Sequence, residues 1–292
     1  MVKVSVIIPT YNRRELLKKA IASVYDQTYQ DFEIIVVDDG STDGTPADYG
    51  APRDKLTFLA LPHTGLPARA RNEGIAHAIG EYIAFLDSDD LWTSNKLEEQ
   101  LKVMESRPEI GLTSTNAMVF RVNSTETHLF FRPGLSHSGR VTGPLLQDNF
   151  VIISAAVVRR SALDEVGLFS EDVLIRGIED YDLWLRLSLR YDYLYLDMPL
   201  ARYLDQDNSI RSESTRKKYW EALLRMFDGL ENQGDLGDGV GKALSDARFE
   251  ALFRLGIESK REGQYLAMFR SYARLAAMRP IKFAKRLAYC LI

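Results

Sequence analysis

The sequence predicts an α/β fold, a mostly parallel sheet flanked by helices, followed by an α-helical C-terminal extension. Three observations carry this expectation. Short runs rich in β-branched and aromatic residues alternate with segments of helical period between residues 4 and 106. Acid- and glycine-rich segments directly follow several of those runs, at the strand ends where open parallel sheets gather ligands. Beyond Glu213 the strand pattern stops and only helical periodicity remains.

Taken in order, Val4 to Ile8 reads as a buried strand and Glu15 to Tyr25 as an amphipathic helix. Phe32 to Val37 and Leu56 to Leu61 are the next strands, with a helix over Pro67 to Ile79. Tyr82 to Leu86 is a further strand, and Lys96 to Ser106 the helix after it, with Asn95 and Glu98 spaced as a capping box. Past Ile110 the pattern loosens, with turns at Pro133-Gly134 and Gly143-Pro144 and one strand at Ala155 to Val158, which suggests a second half-sheet. The extension contains helices over Tyr219 to Leu230, Ala243 to Ser259 and Gln264 to Met278, with a turn at Glu262-Gly263.

Composition bounds the function. The 292 residues are 46% hydrophobic and 27% charged, ordinary for a globular protein. A single cysteine, Cys290, excludes a disulfide framework and a cysteine-based zinc site. No run approaches the ~18 apolar residues of a spanning helix, and Met1-Val2-Lys3-Val4 is no signal peptide. A cytoplasmic protein, free or peripheral at the inner face of the membrane, is expected. Residues 1–212 carry net charge −9 and residues 213–292 carry +5. The acidic part speaks against nucleic acid as a partner, since phosphate backbones need a basic footprint.

Asp87-Ser88-Asp89-Asp90 closes the Tyr82 to Leu86 run, and no lysine or arginine intervenes before Lys96. Clustered carboxylates at a strand end suit a hard divalent cation, Mg2+ or Mn2+, that keeps positions open for phosphate oxygens. The simpler reading is a turn whose acids cap the next helix. Asp38-Asp39-Gly40-Ser41-Thr42-Asp43-Gly44-Thr45 follows the second strand, where an acid can accept hydrogen bonds from a base or ribose. A plain glycine turn explains Gly40 and Gly44 equally well. The first strand ends in Pro9-Thr10-Tyr11-Asn12, with neither the GxGxxG of a dinucleotide fold nor a Walker GK[ST].

Together these segments, with Ala70-Arg71-Asn72-Glu73-Gly74 and Glu179-Asp180, stand in the order seen in family 2 glycosyltransferases of the GT-A fold, which the chain resembles over residues 1–212. The resemblance implies a catalytic domain there, ahead of the helical extension read over residues 213–292, and a nucleotide-diphospho-sugar as donor. It implies that Asp39, with Pro9, Thr10 and Tyr11, holds the nucleotide, that Arg71 lies near its phosphates, and that Asp87 and Ser88 border the donor. Asp89 would ligate the metal, with Asp87 and Asp90 in support. Asp180 would be the base that deprotonates an acceptor hydroxyl, on a glycan or a lipid-linked glycan, with inversion at the anomeric carbon. The first-turn acids Glu179, Asp180 and Asp182 also suit a helix N-terminus without any further role. A Tyr-Arg-x-His pattern of many relatives is met here by Tyr203-Leu204-Asp205-Gln206, which removes a histidine from the expected metal or phosphate contacts. A catalytically silent nucleotide-sugar-binding protein and a Mg2+-dependent phosphatase remain alternative readings.

From Gly263 to Ile292 there are six basic residues, Arg270, Arg274, Arg279, Lys282, Lys285 and Arg286, and no acid. Interleaved with Phe283 and Leu287 after Pro280, they suit a helix lying on an anionic bilayer, or one packed on protein with its charges in water.

Overall fold

The computed structural model describes residues 2–49, 51, 53–121, 126–132, 134, 137–205, 216–232 and 236–290, without the side chains of 238 and 288–290. The expected domain boundary at residue 212 and Gln206 lie outside the described residues. The chain divides into two compact units, Met1–Asp207 and Asn208–Ile292.

The first unit is built on one sheet, in which the described residues form nine strands: β1 Val4–Thr10, β2 Phe32–Asp38, β3 Leu56–Ala60, β4 Tyr82–Phe85, β5 Leu91–Trp92, β6 Ile110–Phe120, β7 Thr127–Leu129, β8 Val157–Arg159 and β9 Asp192–Leu204. Their order is β3-β2-β1-β4-β8-β6-β9-β5, with β7 on β6. β3, β2, β1 and β4 run parallel, so Thr10 stands beside Asp38 and Ile7 beside Phe85. This parallel register puts the loops after β1, β2 and β4 on one edge. β8 enters antiparallel between β4 and β6, and β9 runs parallel to β6.

Burial explains why the parallel half was legible. β1 lies between two neighbours, and Val4, Val6, Ile7 and Ile8 are all fully buried, as the central strand of a covered sheet requires. Helix α1 (Arg14–Tyr25) turns Leu17, Ala20, Ile21 and Val24 onto it, the i, i+3, i+4, i+7 stripe of an amphipathic helix. Short α2 is Thr45–Tyr49, and α3 (Pro67–His77) starts on a proline at its first turn. Gly74 lets α3 lie close on the sheet, since a Cβ there would stand 2.5 Å from Ile7 Cγ2.

Two long strands were not expected from the sequence. The middle of β6, Thr113-Ser114-Thr115-Asn116, is polar yet buried, so it lacks the apolar pattern of a strand. Its polar groups are satisfied locally: Gln100 Nε2 donates to Thr113 Oγ1 at 3.0 Å, and Asn116 Oδ1 accepts from the Ala117 and Phe131 amides. β9 carries Pro199 opposite Asn116, where the β6–β9 register shifts. Helix α4 (Lys96–Ser106) begins after Asn95 as expected, but no capping box forms. Asn95 makes no side-chain cap bond, its Oδ1 instead accepts from Thr93 Oγ1, and Glu98 accepts from Thr28 Oγ1. Among the described residues the remaining α-helices of this unit are α5 (Thr142–Leu145), α6 (Arg160–Val166) and α7 (Glu179–Ser188).

The second unit contains helices Arg216–Glu231, Asp238–Arg261, Tyr265–Met278 and Pro280–Cys290. Phe249, Leu252, Phe253 and Leu275 form its centre, with Phe283 and Leu287 packed against them. Arg279 and Lys282 pair with Asp246, and Arg286 with Glu250. Half of the basic residues of the tail are thus matched by acids of the second helix.

Candidate active site

The edge formed by the carboxyl ends of β1, β2 and β4 collects most of the residues singled out in the sequence. At the end of β1, Pro9 pairs in register with Val37, and Thr10 is buried with its Oγ1 unbonded among the described residues. Tyr11 is exposed and stacks on His63, ring centroids 4.1 Å apart and planes 19° from parallel. Asn12, at φ 50°, bonds across to the loop after β2: its amide donates to Ser41 Oγ and its Oδ1 accepts from the Thr42 amide, both at 2.8 Å.

Within that loop the two leading aspartates face opposite ways. Asp38 is fully buried and holds its own turn, accepting from the Ser41 amide and hydroxyl. Asp39 reaches forward to the segment after β3. Its Oδ1 accepts from the Thr64 amide at 2.9 Å and the Thr64 hydroxyl at 3.1 Å, and its Oδ2 from the Gly65 amide at 2.8 Å. His63 Nδ1 lies 2.9 Å from the Asp39 carbonyl and 3.1 Å from Oδ2. The turn needs glycine at position 40: φ is +80°, and a Cβ would meet the His63 amide nitrogen at 2.8 Å. Asp43 caps two helices at once, bonding the Arg14 amide of α1 and the Thr45 amide and hydroxyl of α2.

After β4, Asp87, Asp89 and Asp90 each offer a carboxylate oxygen, all within 4.8 Å of one another. Buried Ser88 lies between them. The acids had no basic neighbour in sequence, but the fold supplies two from elsewhere. Arg13, two residues beyond Tyr11, forms an ion pair with Asp89. Arg71 of α3 donates to Asp87 Oδ1 at 2.8 Å and, from its other terminal nitrogen, to Glu179 Oε1 at 2.9 Å, with its guanidinium over the Phe169 ring. Arg71 thus sits as a buried bridge between the β4 loop and α7. Burial would lower its pKa, but Asp87 and Glu179 outweigh that and raise it.

Asp90 turns inward. Its Oδ2 accepts from Ser154 Oγ at 2.5 Å and its Oδ1 from the Leu204 amide at 2.9 Å, which ties the segment to the end of β9. Leu204, the last residue of β9, therefore lies beside Asp90. Burial raises the pKa of Asp89, with Asp87 adding to it; burial, then Asp89 and Asp87, push Asp90 far above the carboxylate range. Carboxylates that burial and one another's charge penalise in their ionised form are ones that a divalent cation would relieve. Hard oxygen donors converging at one strand end fit Mg2+ or Mn2+.

Helix α7 delivers the last predicted residue. Trp184, fully buried, packs against Phe85 and Phe169 and fixes the helix on the sheet. Glu179, the first residue, is engaged by Arg71 and by the Gly177 amide at 2.6 Å. Asp180 accepts from the Tyr181 amide at 2.7 Å and retains some exposed surface. Burial, then the neighbouring Glu179 charge, raises its pKa to about 7. Arg71 and the Tyr181 amide lower it, but by less.

Three further residues complete this edge without having stood out in the sequence: Arg13, His63 and Ser154. Arg13 and His63 both lie in loops after parallel strands, the positional signal that had pointed to Asp39 and Asp89. Ser154 carries no such signal, because it follows a stretch without strand pattern.

The family model described as "Glycosyl transferase family 2" matches residues 5–167. An uncharacterized glycosyltransferase of Rickettsia conorii is 36% identical over 205 residues, 68% of this chain; the chain spans 32% of that relative's length. The Escherichia coli enzyme WfgD, named a UDP-Glc:alpha-D-GlcNAc-diphosphoundecaprenol beta-1,3-glucosyltransferase, is 42% identical over 75% of this chain and 85% of its own. Among solved structures, S. aureus TarS in complex with UDP-GlcNAc superposes with a TM-score of 0.71 at 20% identity, covering 96% of this chain and 82% of that one. Mannosyltransferase PcManGT from Pyrobaculum calidifontis, in complex with GDP-Man and Mn2+, gives 0.65 at 21% identity over 99% of this chain and 79% of its own. These likenesses establish the GT-A-type fold, and the family match, resting on the strand-end loops just described, makes the chain a member of glycosyl transferase family 2.

Proposed function

We propose that the chain is an inverting, metal-dependent glycosyltransferase of polysaccharide or cell-surface glycan synthesis. The donor is a nucleotide-diphospho-sugar, a UDP-sugar by likeness to WfgD and to the TarS complex. The acceptor is a hydroxyl of a glycan or lipid-linked glycan at the cytoplasmic face of the membrane. The observation that carries this reading is that three carboxylates converge within 4.8 Å at the strand ends; on α7 burial and the neighbouring Glu179 push the pKa of a fourth, Asp180, up to about 7.

In this reading Tyr11 and Asp39 border the nucleotide, with Pro9 and Thr10 forming the floor beneath it. Asp89, with Asp87 and the remaining lone pairs of Asp90, holds the cation, and Ser88 sets the spacing between them. When bound, Mn2+ or Mg2+ supplies Lewis-acid neutralisation of the departing diphosphate. Arg71 holds Asp87 in place and so acts as a positioning residue. Asp180 takes the proton of the acceptor hydroxyl as its oxygen bonds the anomeric carbon and the bond to the diphosphate oxygen breaks on the opposite side. A base near pKa 7 is half ionised at neutral pH and strong enough to accept that proton. Glu179, engaged by Arg71 and Gly177, is less available for the task.

The test is a panel of UDP- and GDP-sugars, assayed for donor hydrolysis and for thermal stabilisation with and without Mn2+. Metal-dependent stabilisation by one donor is expected. Release of free phosphate from simple phosphoesters, without sugar transfer, would refute the reading.

A further inference from the structure

The second unit has an apolar face that its own core does not use. Helix Tyr265–Met278 turns Ser271 and Leu275 inward, toward Phe249, Leu252 and Phe253. At helical spacing Leu266, Phe269 and Ala273 fall on the opposite side. Leu266 is 66% exposed, Phe269 62% and Tyr265 58%; Ile281, at the start of the next helix, is 74% exposed. A helix apolar on both sides is built to be covered on both sides. Within this unit nothing among the described residues covers the second one.

Charge identifies what does. Arg270 and Arg274 flank the exposed stripe, and Lys285 lies on the following helix. These three make no ion pair among the described residues, whereas Arg279, Lys282 and Arg286 are matched by Asp246 and Glu250. No acid occurs between Gly263 and Ile292 to moderate them. We propose that this face, Tyr265, Leu266, Phe269 and Ile281 with Arg270 and Arg274, docks on an anionic lipid surface. Apolar and aromatic side chains enter the boundary of headgroups and acyl chains, while the two arginines meet lipid phosphates. It lies in the interface: no helix of the described residues is long and apolar enough to cross a membrane. A second copy of the chain is a poorer occupant, because a two-fold contact would set Arg270 and Arg274 against their own counterparts.

The test is cosedimentation of the full chain, without substrate, with phosphatidylcholine vesicles and with phosphatidylcholine vesicles containing phosphatidylglycerol. Binding to the second only, weakening as salt is raised, is expected. Arg270→Gln with Arg274→Gln should lower that binding roughly twenty-five-fold, at about fivefold per charge. Leu266→Ser with Phe269→Ser should abolish it at unchanged thermal midpoint, since both side chains are exposed. Failure to bind, equal binding to both vesicles, or wild-type binding by these variants overturns the proposal. So does concentration-dependent self-association that the serine variant removes. None of these outcomes depends on whether the catalytic reading holds.

Discussion

Arg13 is ion-paired with Asp89, so the carboxylate at the centre of the proposed metal site is held by a residue of the β1–α1 loop. A cation entering this site competes with the guanidinium. Arg13→Ala is therefore expected to raise Mn2+ affinity roughly tenfold, the effect of removing one like charge at short range in a half-buried site. Electron paramagnetic resonance titration of free Mn2+ measures this directly. Weaker Mn2+ binding in the variant would mean that Arg13 organises Asp89 for the ion and does not compete with it.

Asp180→Asn separates binding from chemistry. Its amide preserves shape but accepts no proton, so transfer should slow by about a hundredfold to ten-thousandfold with donor affinity retained. In the wild type, kcat/KM should rise with pH through about 7, the value to which burial and Glu179 raise Asp180. The same shift has a stability consequence. A carboxylate whose folded pKa lies above its unfolded one binds its proton more tightly when folded, so stability falls as pH rises from about 4 to 7. Asp180→Asn should accordingly be the more stable protein at pH 8, and the difference should vanish below pH 4. A variant that transfers at wild-type rate would place the base elsewhere.

Asp39 and Tyr11 should respond differently to truncation. Asp39→Ala leaves the Thr64 and Gly65 amides without their acceptor, so both nucleotide affinity and folding stability should drop, each by about 1 to 3 kcal/mol. Tyr11→Ala removes only an exposed ring stacked on His63 and should weaken UDP binding at unchanged melting temperature. Calorimetric titration with UDP, paired with thermal melts, checks both. Intact UDP affinity in Asp39→Ala would reduce the loop to a scaffold.

Lys96 is fully buried, its Nζ makes no hydrogen bond among the described residues, and it lies 4.1 Å from the centre of the Trp92 ring. Attraction to the ring is worth about 2 kcal/mol when desolvated; withdrawing an ammonium from water costs several. Burial wins and holds the lysine pKa well below 10.5. The unfolded chain then binds more protons, so this residue's penalty on stability is largest below its folded pKa and fades toward pH 10.5. Lys96→Met should raise the unfolding midpoint at pH 7, with the gain shrinking as pH rises. A drop at pH 7 would show that the ammonium is paired within the fold.

The strand-end loops were legible because β1, β2 and β4 are central, parallel and apolar, and the parallel register leaves their following loops on one edge. What escaped was whatever the second half of the sheet supplies. β6 hides a buried polar stretch satisfied by Gln100 and Phe131, and β9 contains Pro199, so neither has the pattern of a strand. Long-range partners are likewise invisible locally: Arg71 bridges Asp87 and Glu179 across 108 residues of chain on its longer side. Asp90 could be placed in the cluster from sequence, but its inward turn depends on Ser154, which has no motif.

The two bonds made by Asp90 also set an order of assembly. Its partners lie 64 and 114 residues further along the chain. The acidic segment leaves the ribosome long before either partner exists, and β9 must then pair in parallel with β6, a nonlocal closure of the kind that slows folding. Until both partners are in place, Asp90 lacks the two groups that turn it inward. The last strand of the sheet adds the final bond, so any truncation ahead of Leu204 leaves the motif intact in sequence and removes the amide that holds Asp90 to the end of β9.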